Sequence, residues 1–199
     1  MRHGTRVSIV ALAGDHVEHH APAVARDIAL YDQRGCLSPH AVYVAGDAGR
    51  FAAALHAALD ALAARLPLGP ASVEERGAVA RLRGEAEWEG AAVLTGPGGT
   101  VIVDERPVLR TSCGRRTVRV HPLADAAALP SVLRGGGVEC VGLAGAAPDV
   151  ETLRALGVAR VCAPGHMQEP PLSWPRGQQA PLRVLVGLPT PPQIQVEPS

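Results

Sequence analysis

The sequence predicts an α/β domain in layers, with a largely parallel sheet covered by helices. Apolar, β-branched runs of strand length alternate with helical patterns along most of the chain. Glycine and proline punctuate the boundaries between them. At 199 residues the chain is one domain or one and a half, long enough to bury a sizeable core.

Residues 7–12 read as a buried strand, ended by Gly14-Asp15. A helix follows from about Pro22, a residue suited to a first turn, with Val24, Ile28 and Tyr31 on one face. Residues 41–44 form a short strand, and Gly46-Asp47 caps a long helix striped by Phe51, Leu55, Leu59, Leu62 and Leu66. Pro67 and Pro70 stop that helix. Ser72 and Glu75 have the spacing of a capping box and open a further helix through about Arg83, with Val79 and Leu82 facing inward. Residues 91–95 and 100–103 flank Gly96-Pro97-Gly98-Gly99, the signature of a hairpin. A strand at 117–120, a helix at 125–133, a strand at 138–143, a helix at 148–156 and a strand at 158–162 complete the alternation. Residues 1–163 are read as the α/β body, and 164–199 as a proline-rich tail with one strand candidate at 182–186 and a disordered last ten residues.

The 19 basic and 19 acidic residues cancel, so no global field draws the chain to nucleic acid or to a membrane. Lysine and asparagine are absent, a bias that reflects a GC-rich coding background, and arginine supplies all the fixed positive charge. No apolar run reaches the ~18–20 residues needed to span a bilayer, and the N-terminal apolar stretch is too short for a secretory signal. The reading is a cytoplasmic protein. Cys36, Cys113, Cys140 and Cys162 have neither CxxC pairing nor repeated spacing, which argues against a zinc ribbon and a disulfide framework. His16 and His20 share a helical face, but with no third ligand cluster they read as part of a solvated loop, and no metal is expected.

Cys36 is the candidate nucleophile. It sits in a polar, glycine-preceded turn between a helical pattern and a β-branched run. A thiol attacks as the thiolate, and near neutrality an ordinary thiol with a pKa of about 8.5 is only slightly ionised, so its neighbours decide reactivity. The helix upstream presents its negative end and works against an anion there. Arg34 and His40 are the candidate helpers. His40 reaches the thiol only if Ser38-Pro39 turns the chain back, and is otherwise a histidine at the start of a strand. The alternative for Cys36 is a small, buried, inert thiol.

The run Asp32-Gln33-Arg34-Gly35-Cys36-Leu37-Ser38-Pro39-His40 resembles the cysteine signature of the aldehyde dehydrogenase superfamily, most closely that of the acyl-CoA reductases of bacterial bioluminescence systems. The preceding Pro22 and Val24 to Ala29 resemble that family's lead-in helix, and Gly157 to Trp174 its C-terminal block. The resemblance implies a three-layer aldehyde-dehydrogenase-like catalytic domain whose cofactor-binding domain is mostly missing, the part carrying it lying before Met1. It implies a long-chain fatty acyl-CoA reductase in which Cys36 accepts the acyl group, the Cys36 backbone N–H serves the oxyanion, and NADPH supplies hydride. The superfamily's second oxyanion donor is an asparagine, and this chain has none. Glu105 falls where the superfamily holds the nicotinamide ribose, although Arg106 replaces the residues that follow it there, and a salt-bridged surface carboxylate is the other reading. His166, Met167 and Trp174 resemble positions with structural roles. Implied partners are the acyl-CoA itself, an acyl-protein synthetase and acyltransferase that deliver acyl groups, and a second copy of the chain. No GxGxxG follows a strand and no GxxxxGK[ST] occurs, so weak binding of NADPH is expected. The contrasting reading is a non-catalytic remnant or interaction module that keeps the fold without a cofactor site.

Overall fold

The computed structural model describes residues 6–145, 148, 150–171, 174 and 195–196. In chain order its elements are β1 (Val7–Ala13), α1 (Ala21–Ala29), β2 (Pro39–Ala45), α2 (Ala48–Ala63), α3 (Val73–Trp88), β3 (Ala92–Gly96), β4 (Gly99–Val103), β5 (Thr117–Pro122), α4 (Leu129–Leu133), β6 (Val138–Ala144), α5 (Val150–Ala155), β7 (Arg160–Cys162) and β8 (Gln195–Val196). The described strands form one sheet in the order β3-β4-β5-β2-β1-β6-β7-β8. Among the described strand pairs only the β3–β4 hairpin is antiparallel.

β1 lies inside the sheet, so its alternate side chains enter two separate cores. Val10 and Leu12 join Val24, Ile28, Phe51, Leu55 and Leu59 under α1 and α2. Ile9 and Ala11 join Tyr43, Leu129, Leu133 and Leu153 beneath α4 and α5 on the other face. The layers inferred from the alternating pattern are those observed.

Two helices differ from the sequence expectation. α2 begins as expected, with the Asp47 carboxylate accepting from Arg50 N at 2.8 Å, but it ends at Ala63. Leu66 lies beyond the helix and is exposed, because the chain turns back through Arg65 and Leu66 onto the Leu62 carbonyl. α3 has the expected capping box of Ser72 and Glu75 and continues to Trp88, past Arg83. Val79 and Leu82 do not face a core. They are half-buried, and Ala86 is the buried residue of α3, because this helix lies along the hairpin at the sheet's edge and has no sheet face beneath it.

Two connections carry no local sequence signal. The crossover from β4 to β5 has no helix: residues 104–116 run back along the sheet, with the Tyr43 hydroxyl donating to Val108 O at 3.2 Å and Leu109 against Gly136. Gln195–Val196 lie in the stretch expected to be disordered, yet they pair in parallel with β7, whose open backbone edge accepts a further strand. The strand candidate at 182–186 lies outside the described residues.

The burial contrast sets relative costs. Leu55→Ala, at a fully buried position of α2, should lower unfolding free energy by about 2–5 kcal/mol, and Leu82→Ala, half-buried on α3, by less than about 1.5 kcal/mol. Urea denaturation of the two variants measures both.

Candidate active site

α1 ends at Ala29, and Leu30 breaks it with extended backbone at ψ 130°. Tyr31, Asp32 and Gln33 then take φ values of 60°, 50° and 61°. In this left-handed region a non-glycine residue costs about 1–2 kcal/mol, so the run persists only where its surroundings hold it. Asp32 and Gln33 are held tightly. One Asp32 carboxylate oxygen pairs with the buried Arg116 guanidinium at 2.7 Å, and the other accepts from Gly69 N at 3.0 Å. Its backbone oxygen accepts from Arg115 N at 3.2 Å. The buried Gln33 amide donates to Pro39 O at 2.7 Å and accepts from Thr117 N at 2.8 Å.

This run delivers the chain into a four-residue turn, Gly35 to Ser38, closed by Ser38 N donating to Gly35 O at 3.0 Å. Leu37 points into the core. Cys36 beside it is exposed, and its carbonyl accepts from the Ser8 hydroxyl at 2.8 Å. Arg34 turns outward to Glu75 at 2.7 Å, tying the turn to the start of α3. A shallow concavity lined by Tyr31, Asp32, Arg34 and Gly35 opens next to the turn.

His40 sits in a β-bulge. Ser8 is level with Pro39 and Ile9 with Ala41, so His40 is left out of the ladder. Its Nδ1 accepts from Ser112 N at 3.2 Å, which leaves the proton on Nε2. Burial pushes its pKa below the ordinary histidine value, which keeps the ring neutral. Cys113, half-buried, lies in the same loop as Ser112.

The C-terminal block closes over α1 and the turn. The buried Asp27 carboxylate accepts from Gly165 N at 2.5 Å and from Met167 N at 3.1 Å. Gln168 Nε2 donates to Asp27 O at 3.1 Å and to the Ser38 hydroxyl at 3.0 Å, which reaches the nucleophile turn itself. From the other side the buried Arg160 guanidinium donates to the carbonyls of Met167, His166 and Glu169 at 2.9, 3.0 and 3.2 Å. A carboxylate gathers the block's N–H groups and a guanidinium its carbonyls. Met167 and Trp174 are buried in the core alongside.

Glu105 is exposed at the carboxyl end of β4. The thiol turn lies at the amino ends of β1 and β2, two strands across and about five residues lower, roughly 15 Å along the strand direction. The structure therefore does not bring Glu105 and Cys36 together. Beside Glu105, Asp104 forms a network that no local spacing announces. It is buried and pairs with Arg106, Arg110 and Arg119 at 3.0, 3.1 and 3.0 Å. Burial alone would raise its pKa, but hydrogen bonds from Arg106 and Arg110 overcome this and hold it at about 2. The cluster's role is to anchor the helix-less crossover.

A family model described as the LuxC acyl-CoA reductase matches residues 1–185. The chain belongs to this family. No sequence among curated proteins matches it. Solved structures of aldehyde dehydrogenases share its fold. The LuxC-family chain superposes on a methylmalonate-semialdehyde dehydrogenase from Oceanimonas doudoroffii with a TM-score of 0.63 at 14% identity, covering 87% of this chain and 42% of the other. For an NADP-dependent glyceraldehyde-3-phosphate dehydrogenase from Bacillus halodurans the values are 0.61, 16%, 86% and 40%. For an NAD-dependent benzaldehyde dehydrogenase from Corynebacterium glutamicum they are 0.57, 17%, 78% and 38%. The chain thus spans about two fifths of the length of these enzymes. The described part is a partial aldehyde-dehydrogenase-like domain.

Nicotinamide dinucleotides belong to such folds, and the β1–α1 connection does not fit one. The β1–α1 connection, where a pyrophosphate cradle would form, packs against the β2–α2 connection so closely that a methyl group on Gly46 would lie 3.0 Å from Gly14 O. The depression there is lined by Asp15, Glu18 and Asp47 with a single arginine, Arg50, already paired to Glu18 at 2.7 Å. Acidic groups repel a diphosphate. Among the described residues no group of three or more His, Cys, Asp or Glu side chains gathers as a metal site, and no helix is long and apolar enough to cross a membrane.

Gln33→Ala should cost about 1–3 kcal/mol, because it removes the buried hydrogen bonds to Pro39 O and from Thr117 N, leaving Thr117 N its bond to Gly114 O; chemical denaturation measures it. Burial raises the Asp27 pKa from 3.8 to about 6, against the pull of Gly165 N–H, Met167 N–H and Arg26. Between those values the folded state holds a proton that the unfolded chain has released. Asp27's contribution to stability is therefore complete below pH 3.8 and is lost as pH rises through about 6. Carboxyl-carbon NMR should place the Asp27 titration near 6, and Asp27→Asn should remove this part of the stability–pH curve.

Proposed function

We propose that this chain carries the acyl-accepting half of a long-chain fatty acyl-CoA reductase, with Cys36 as nucleophile. The observation that carries the reading is the placement of Cys36: exposed at the corner of a turn whose backbone is pinned from both sides. In the proposed step the Cys36 thiolate attacks the thioester carbonyl, the C–S bond to CoA breaks, CoA leaves as its thiolate, and the acyl group stays on Cys36. The Cys36 backbone N–H is the proposed oxyanion donor. His40, neutral and held through Nδ1 by Ser112, serves as a positioning residue that keeps the 112–116 loop against the turn.

The reductive half would use NADPH. Since the β1–α1 connection offers no dinucleotide cradle, that cofactor would be held elsewhere, and no hydride step is assigned to the described residues. An acyl-protein synthetase, an acyltransferase and a second copy of the chain are the proposed partners. The missing cradle favours one second reading, a non-catalytic module that keeps the fold and not the reaction.

Incubation with palmitoyl-CoA separates the two readings. Intact-mass spectrometry should show one acyl group per chain, mapped to Cys36, with stoichiometric release of CoA and none in Cys36→Ala. No adduct, or an equal adduct in Cys36→Ala, supports the non-catalytic module.

A further inference from the structure

A second concavity lies on the outer side of the nucleophile turn, between α3 and the β3–β4 hairpin. It is an open groove of about 330 Å³, within the range of small-molecule sites. Arg76, Val79, Ala80 and Arg83 line one wall, and Pro97 and Arg115 lie among the residues lining the rest. Residues 76, 79, 80 and 83 share one face of α3, and seven residues of helical rise place Arg76 and Arg83 about 10 Å apart with the apolar pair between them.

These arginines differ in their partners from most of the others described. Arg26, Arg34, Arg50, Arg106, Arg110, Arg116 and Arg119 each pair with a carboxylate. In the groove, Arg76 donates to Ala71 O at 2.6 Å, Arg83 to the Thr100 hydroxyl at 2.9 Å, and Arg115 to Gly69 O at 2.8 Å. All three acceptors are neutral, and none of the three guanidiniums forms a direct ion pair among the described residues. Glu75, paired with Arg34, also lies near enough to Arg115 to attract it, and Asp60, behind the hairpin, accepts from Gly98 N at 2.8 Å. The groove also touches the nucleophile loop. Arg115 N donates to Asp32 O, and Arg115 and Arg34 share the Pro70 carbonyl.

We propose that this groove binds the phosphoadenosine diphosphate end of the acyl-CoA substrate. That moiety carries a ribose phosphomonoester and a diphosphate on either side of an apolar-faced base, and guanidiniums spaced along an apolar strip complement it. Its flexible pantetheine arm then leads the thioester toward the turn. The proposal rests on the acyl-transfer reading of Cys36 for its substrate and on the arginines for its site.

Titration calorimetry on the full chain tests it with adenosine 3′,5′-bisphosphate, which has no thioester, alongside CoA, AMP, NADH and NADPH. The bisphosphate and CoA should bind, AMP and NADH at least tenfold more weakly, and affinity should fall with salt. Arg76→Glu, an exposed position, should weaken both nucleotides at least tenfold, and Arg76→Lys much less. Undetectable binding of the bisphosphate at millimolar concentration, or equal affinity in Arg76→Glu, overturns the groove. NADPH binding more tightly than CoA overturns the assignment to CoA and moves the site to the dinucleotide phosphate. Acylation of Cys36 by a simple S-acyl-N-acetylcysteamine is measured in parallel. Its absence, with the bisphosphate still bound in an Arg76-dependent way, strikes the acyl-transfer reading and leaves the groove standing.

Discussion

Three consecutive left-handed residues, none of them glycine, determine where the thiol goes. An α-helix entering a parallel strand must reverse direction, and here it does so through Tyr31, Asp32 and Gln33 at a conformational cost of several kcal/mol by order of magnitude. Buried polar anchors offset that cost: Arg116 and Gly69 on Asp32, and Pro39 and Thr117 on Gln33. Apart from Pro39 at the start of β2, the anchors come from the loop after α2 and from the start of β5. The turn is therefore fully pinned only once the sheet has assembled around it, because its local bonds, Gln33 to Pro39 O and Ser38 N to Gly35 O, leave Asp32 unanchored. Leu37 completes the arrangement, because burying it leaves its neighbour on the solvent side of the turn.

A second constraint joins the chain's two ends of recognisable sequence. Residues 163–169 have little regular structure, so their backbone groups need partners. Asp27 meets N–H groups and Arg160 meets carbonyls, which gives an irregular segment the hydrogen bonding a strand would have supplied. Gln168 extends the same network to Ser38. The two blocks that resemble one family in sequence are thus neighbours in space, 130 residues apart along the chain, and their joint presence reflects one piece of packing.

The elements with a strong period were legible beforehand. β1, β2, the hairpin and the starts of α2 and α3 follow from β-branched runs, an Asp cap, a capping box and a glycine turn, all local signals. What was not legible depends on partners distant in sequence. The end of α2, the partial burial of Val79 and Leu82 and the helix-less crossover reflect which surface lies beneath each segment. The same holds at the site: Cys36 could be singled out from its turn, whereas Asp27, Asp32 with Arg116, and Asp104 with its three arginines show no spacing that marks them as pairs. Glu105 illustrates the opposite case, a residue placed by resemblance whose strand carries it to the end of the sheet opposite the thiol turn.

Differential alkylation of the native chain, with peptide mass spectrometry following each of the four cysteines over time, tests the presentation of the thiol most directly. The account predicts that Cys36 reacts first, Cys113 more slowly, and the buried Cys140 and Cys162, whose sulfurs lie 3.9 Å apart in the core, only on unfolding. A Cys36 protected to the same degree as Cys140 would contradict it, because the pinned turn would then be hiding the sulfur it is held to present.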